Sequence, residues 1–212
     1  MTALIPSLLD RAPVVPVVVL DDAADAVPLA RALAAGGLPI VEVTLRTPAA
    51  LEAITRIAAE VPEALVGAGT VTTAAQAGAA AAAGAGFLVS PGATPRLLEA
   101  MAGCGLPFLP GVATASEAMA VLEYGVAAMK FFPAEAAGGT AYLRSLAGPL
   151  PGVRFCATGG IDARNAGDYL ALSNVACVGG SWVTPADAVR SGDWARIEQL
   201  AQAATALRGA GA

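Results

Sequence analysis

The chain has 212 residues, 56% of them hydrophobic and 14% charged, a balance that excludes a disordered polypeptide and suits one compact domain over residues 1–212. Twelve basic against 17 acidic residues give a net charge of -5, so no broad positive field is present to hold nucleic acid. Histidine is absent, which removes His-based triads, HExxH zinc sites and His general bases and leaves any chemistry to Lys, Arg, Asp, Glu, Tyr, Thr or Cys.

In chain order, a short helical segment is expected over about 1–12. Its Asp10–Arg11 pair interrupts the hydrophobicity that a secretory signal needs, so a cytoplasmic location is expected. Short β-branched runs then alternate with Ala- and Leu-rich stretches. Strands are predicted at Val14–Leu20, Ile40–Thr44, Leu65–Ala68, Phe87–Val89, Phe108–Pro110, Ala128–Phe132, Val153–Ala157 and Val175–Val178. Eight strands each followed by a helix fit a closed (β/α)8 TIM barrel of the α/β class. An open doubly wound sheet is the competing fold, but Leu20-Asp21-Asp22 is no glycine-rich dinucleotide turn.

Between the strands, Thr47-Pro48 and Thr94-Pro95 each place a capping hydroxyl before a proline suited to the first helical turn. Thr73 with Gln76 and Thr114 with Glu117 have capping-box spacing. After the second strand, Leu51, Ile54, Ala58 and Val61 form the stripe expected to pack on the sheet, whereas Ala74–Ala85 allows a helix without orienting it. The uncharged stretch from Ala64 to Pro95 is too broken by glycine and proline to span a membrane. A flexible tail is expected over about 209–212. The three cysteines, Cys104, Cys156 and Cys177, have no metal-ligand spacing and read as buried thiols of a reducing compartment.

In a barrel of this kind reactive groups lie at the C-terminal strand ends, and few polar residues interrupt the apolar runs there. Glu42 shares a strand face with Ile40 and Thr44, and a carboxylate inside a barrel suits proton transfer. Arg46 follows at the strand end, where its fork can grip a substrate carboxylate. Gly69-Thr70, Ser90-Pro91-Gly92 and Pro110-Gly111 supply small loop residues that leave room for a ligand, with the Thr70 hydroxyl facing it.

Lys130, in Met129-Lys130-Phe131-Phe132-Pro133, is the chain's only lysine. An amine among apolar neighbours is poorly solvated when protonated, so more of it is available as a nucleophile, a role arginine cannot fill. Thr158-Gly159-Gly160 and Gly179-Gly180-Ser181 follow the seventh and eighth strands, where barrels commonly bind phosphate on backbone N–H groups. Each feature also has a plain reading: an internal ion pair of Glu42 with Arg46 or Lys130, and ordinary turns at the glycines.

Taken together, the segments Val41-Glu42-Val43-Thr44-Leu45-Arg46-Thr47, Gly67-Ala68-Gly69-Thr70-Val71, Ser90-Pro91-Gly92, Lys130-Phe131-Phe132-Pro133-Ala134-Glu135, Thr158-Gly159-Gly160-Ile161 and Gly179-Gly180-Ser181-Trp182 resemble the 2-keto-3-deoxy-6-phosphogluconate (KDPG) aldolases, which also cleave 4-hydroxy-2-oxoglutarate (KHG). The resemblance covers nearly the whole chain. It implies a Schiff-base lysine at Lys130, a general acid/base at Glu42, and keto-acid ligands at Arg46, Thr70, Pro91 and Phe132. It further implies phosphate contacts from Thr158, Gly159, Gly160, Gly180 and Ser181, a homotrimer, and no metal or organic cofactor. Ala137 departs from the family pattern, where asparagine is frequent. Three rivals stay open: a related 2-keto-3-deoxy-sugar acid aldolase of different C4 stereochemistry, a metal-dependent aldolase or phosphosugar isomerase using Glu42 and Glu135, and a non-catalytic phosphosugar-binding barrel.

Overall fold

The structure, a computed structural model, describes residues 8–209. Of the expected N-terminal helical segment, residues 1–7 lie outside the described residues, while Leu8 and Leu9 are helical and buried. Of the expected tail, Gly209 closes a 3-10 turn from Ala206, and 210–212 lie outside the described residues.

The elements run β1 (Val14–Val18), a 3-10 turn, α1 (Ala26–Ala35), β2 (Ile40–Thr44), α2 (Ala50–Glu60), β3 (Leu65–Gly69), α3 (Ala74–Ala82), β4 (Leu88–Val89), α4 (Pro95–Gly103), β5 (Phe108–Leu109) and β6 (Gly111–Val112). They continue with α5 (Ala115–Glu123), β7 (Ala128–Phe131), α6 (Gly139–Leu146), β8 (Arg154–Thr158), α7 (Ala166–Leu170), β9 (Val175–Gly180), α8 (Ala186–Ser191) and α9 (Trp194–Thr205). The strand order is β5-β4-β3-β2-β1-β9-β8-β7-β6, and every pairing is parallel.

Among the described residues nine strand segments replace the eight expected because the fifth is divided at Pro110. Phe108 and Leu109 pair with β4, whereas Gly111 and Val112 pair with β7. Between them Pro110, which has no N–H to give a ladder, still accepts from the Lys130 N–H at 2.9 Å. One stretch of chain therefore carries both ends of the strand order, and the sheet closes on itself as a (β/α)8 barrel.

The helix caps divide. Thr73 and Thr114 form capping boxes with Gln76 and Glu117, and Thr94 caps α4 ahead of Pro95. Thr47 does not cap α2, which starts at Ala50; its hydroxyl instead donates to the Leu20 carbonyl and ties the loop after β2 to the end of β1. The buried face of α2 is Ala50, Ala53, Ile54 and Ile57, with Val61 just beyond, so the expected stripe is turned by one position and leaves Leu51 and Ala58 outward. Ile54 and Val61 are common to both stripes, so the register exchanges Leu51 and Ala58 for Ala50, Ala53 and Ile57 on the buried face. In α3 the inward residues are Ala77 and Ala80.

Inside the barrel, Phe87 is fully buried, a gain of about 1.5–3 kcal/mol for such a side chain. Its ring occupies the space beside Gly67, where an added Cβ would lie 2.4 Å from ring carbons. The packed ring floors the interior and leaves the polar residues toward the C-terminal strand ends.

Candidate active site

Lys130 on β7 and Glu42 on β2 lie on strands separated by β1, β9 and β8 in one direction. They nevertheless meet, with Lys130 Nζ 3.1 Å from Glu42 Oε1. Side chains on strands so far apart touch only across the axis, so both point into the barrel. Lys130 is 5% and Glu42 2% exposed, which withdraws both charges from water and leaves each the other's principal electrostatic partner.

Two neighbours fix this pair. An added Cβ at Gly69 would fall 2.1 Å from Glu42 Oε1, so the missing side chain at the end of β3 makes room for the acid. The ring of Phe132 lies 5.4 Å from Lys130 Nζ and offers its π face to the ammonium. Phe132 is joined to Pro133 by a cis peptide bond.

Arg46 sits at the mouth just beyond β2, exposed, and among the described residues its guanidinium has no hydrogen-bond or ion-pair partner. Of the two expected internal pairings, Glu42 with Lys130 forms and Glu42 with Arg46 does not. Thr70 follows β3 with φ 58, a left-handed conformation that a threonine adopts at a cost of about 1–3 kcal/mol and that marks a constrained loop. Pro91 and Gly92 press on Gly111, where a Cβ would come within 2.3 Å of the Pro91 carbonyl carbon. The small residues at Gly69 and Gly111 thus serve neighbouring protein groups rather than leaving open space for a ligand. Ser90, expected only as a small residue of the Ser90-Pro91-Gly92 loop, is fully buried and accepts from the Gly111 N–H at 3.3 Å.

Across the same mouth, Gly159 (φ 105) and Gly160 (φ 76) make a left-handed turn after β8. Among the described residues the N–H groups of Gly159, Gly160 and Ser181 donate to no protein acceptor, which leaves three donors unused on the loops after β8 and β9. Thr158 is buried, its hydroxyl filling the space above Gly179, where a Cβ would sit 2.3 Å away. Gly180 is likewise compelled by Trp182, whose ring would lie 1.8 Å from an added Cβ.

Beneath Lys130, Cys156 is its register partner on β8, and Cys156 in turn partners Cys177 on β9. Both are buried, and Cys104 is half-buried. A hydrogen bond with Cys177 holds the Cys156 thiol below its ordinary range, with help from the Lys130 charge and Thr158, against the opposing effects of burial and Glu42. Glu135 does not join Glu42: it accepts a hydrogen bond from Tyr169, so the two carboxylates that a metal-dependent reading would pair point to different places. Among the described residues no group of three His, Cys, Asp or Glu side chains gathers as a metal site.

A family model described as KDPG and KHG aldolase matches residues 5–200. The chain belongs to that aldolase family. Within it, the 2-dehydro-3-deoxy-phosphogluconate aldolase of Dickeya dadantii is 53% identical over 94% of this chain and 93% of its own length. The KHG/KDPG aldolase of Escherichia coli K12 is 52% identical over 93% of each. Among solved structures, the KDPG aldolase of Legionella pneumophila superposes with a TM-score of 0.92 at 47% identity, covering 94% of this chain and 97% of that one. It holds pyruvate captured at low pH as a covalent carbinolamine intermediate. The KDPG aldolase of Zymomonas mobilis ZM4, solved with 3-phosphoglycerate, superposes with a TM-score of 0.92 at 48% identity over 98% of this chain and 97% of that one.

Proposed function

We propose that this aldolase cleaves KDPG to pyruvate and glyceraldehyde 3-phosphate, and KHG to pyruvate and glyoxylate, through a Schiff base on Lys130. The observation that carries the reading is the buried 3.1 Å contact of Lys130 Nζ with Glu42 Oε1. Among the described residues Glu42 is the carboxylate paired with the ammonium, so it takes the proton that must leave before the amine attacks the C2 ketone. It returns that proton to the departing hydroxyl of the carbinolamine, water leaves, and an iminium remains.

Glu42, again a carboxylate, removes the C4 hydroxyl proton through a bridging water, the C3–C4 electrons move into the iminium, and the aldehyde departs. The enamine is reprotonated at C3 and hydrolysed, which frees pyruvate and Lys130. The Arg46 guanidinium, unpartnered among the described residues, and the Thr70 hydroxyl grip the substrate carboxylate, with Pro91 and the Phe132 ring bordering the keto acid. Phosphate rests on the unused N–H groups of Gly159, Gly160 and Ser181, with Gly180 and Thr158 shaping the cradle.

The same reading carries a reaction without metal or organic cofactor, since a protonated imine already supplies the electron sink. Undiminished activity after exhaustive chelation is expected, and activity restored only by added divalent ion overturns it. The family resemblance supports a homotrimer, which sedimentation equilibrium tests. Reduced thiols at Cys156 and Cys177 fit a cytoplasmic location, and among the described residues no helix is long and apolar enough to cross a membrane. A coupled pyruvate-release assay comparing KDPG, its C4 epimer and KHG tests the activity: release from KDPG and KHG is expected, and release from none of the three refutes it.

A further inference from the structure

The loop after β7 lies directly on the Gly159–Gly160 turn. Ala134 N donates to Thr158 O at 2.8 Å and Glu135 N to Gly159 O at 3.0 Å. The Glu135 stem crosses Gly160 so closely that an added Cβ there would be 2.7 Å from both its Cβ and Cγ. A carboxylate is thus anchored beside the Gly159 and Gly160 N–H groups, which have no acceptor among the described residues, and its charge opposes their use for an anion.

The carboxylate is not left loose. Tyr169 on α7, fully buried, donates its hydroxyl to Glu135 Oε1. An added Cβ at Gly139, in the first turn of α6, would lie 3.4 Å from that hydroxyl and 3.7 Å from Glu135 Oε1, so the contact sits between the loop and two helices. Burial first, and the Glu135 hydrogen bond second, push the phenol above its ordinary value, so it stays protonated and remains a donor across the working pH range.

We propose that Tyr169 is a positioning residue for phosphorylated substrate: by tethering the exposed Glu135, it holds a negative charge away from the Gly159–Gly160 turn. The inference rests on the reading that this turn carries the substrate phosphate. It predicts a substrate-selective role, because KHG ends in a carboxylate attached directly to C4 and does not extend to the turn. Removing the Tyr169 hydroxyl frees the carboxylate to swing over the N–H groups, which penalises KDPG and leaves KHG alone.

The test is steady-state kinetics on both substrates with Tyr169→Phe, Glu135→Gln and the double variant, at low and high salt. Tyr169→Phe is expected to raise KM for KDPG roughly tenfold at low salt, to lose much of that penalty at high salt, and to leave kcat and KM for KHG unchanged. Glu135→Gln in the same chain is expected to abolish the penalty, since the tethered charge is gone. Equal losses on both substrates, a penalty indifferent to salt, one that survives Glu135→Gln, or no penalty at all overturns the proposal. Should Tyr169→Phe fail to fold, Glu135→Gln alone decides: KM for KDPG is expected to stay level or fall, and a rise overturns the proposal. Inorganic phosphate competing against KDPG on the unaltered enzyme separates the premise, because absence of competition removes the cradle itself rather than the tether.

Discussion

At the bottom rim of the barrel, where β8 begins, Arg154 Nη2 reaches Asp10 Oδ1 at 2.8 Å with the two side chains 44% and 53% exposed. In the interior, Lys130 Nζ reaches Glu42 Oε1 at 3.1 Å with the two side chains 7% and 3% exposed. The shorter contact is the less consequential one. Water solvates Arg154 and Asp10 almost as well apart as together, so their pairing adds at most about 1 kcal/mol. Lys130 and Glu42 have given up that solvation, and either one left without the other is an uncompensated charge in the core. The interior pair stores reactivity, because a base and an amine that must share protons are held at contact, whereas the rim pair only fastens the chain.

The largest expected effect separates charge from chemistry inside that interior pair. Lys130→Arg keeps a cation beside Glu42 yet has no amine to attack a ketone, so kcat should fall by at least about 10³-fold while the folded state persists by circular dichroism. Lys130→Ala strands the Glu42 carboxylate and should lower stability in urea by about 3 kcal/mol or more, with much of the loss recovered in Lys130→Ala/Glu42→Gln. If the single and double variants lose stability alike, burial is not what distinguishes the two pairs.

Gly69→Ala attacks the pair's geometry and no charge at all. Its Cβ would fall 2.1 Å from Glu42 Oε1, so the acid must move, and kcat should drop about 10²-fold. Normal turnover in this variant shows that the acid's place is not critical.

On the solvent side the effects shrink. Thr114→Ala removes the hydroxyl that caps α5 and should cost about 1 kcal/mol. Its partner Glu117 is held below its ordinary value of 4.5 chiefly by the Ala113 N–H, with Thr114 contributing and slight burial opposing. A depressed carboxylate stabilises the fold above its ordinary value and loses that contribution as pH falls through the lowered one. The difference in thermal midpoint between the unaltered chain and Glu117→Gln should therefore be present at neutral pH and vanish in acid. Arg154→Ala closes the series at about 0.5 kcal/mol, and a loss as large as that of Lys130→Ala erases the contrast between rim and interior.

Lys130 and Glu42 were legible because each breaks an apolar strand, and a lone lysine in a sequence that otherwise uses arginine has few reasons to sit there. Their contact was legible only as one of two pairings, beside Glu42 with Arg46: strand alternation gives a face, but only closure of the ring turns two faces on distant strands toward each other. The glycines at the strand ends were visible as small residues, yet what occupies the space they leave, a carboxylate at Gly69 and a proline backbone at Gly111, is a long-range fact. Pro110 was placed at the end of one strand because a local window does not show that the residues before and after it pair with different neighbours. The α2 register slipped for a related reason, since Ile54 fits both the expected stripe and the observed one. Thr47 had a capping hydroxyl's local signature, and a carbonyl 27 residues away at Leu20 took it instead.

The most direct test of the interior pair is borohydride reduction in the presence of pyruvate, followed by peptide mass spectrometry. Irreversible inactivation with one reduced pyruvate on the Lys130 peptide, and no adduct on Lys130→Arg, is the predicted result. An unmodified Lys130 peptide from enzyme that turns over KDPG in the same buffer contradicts the account.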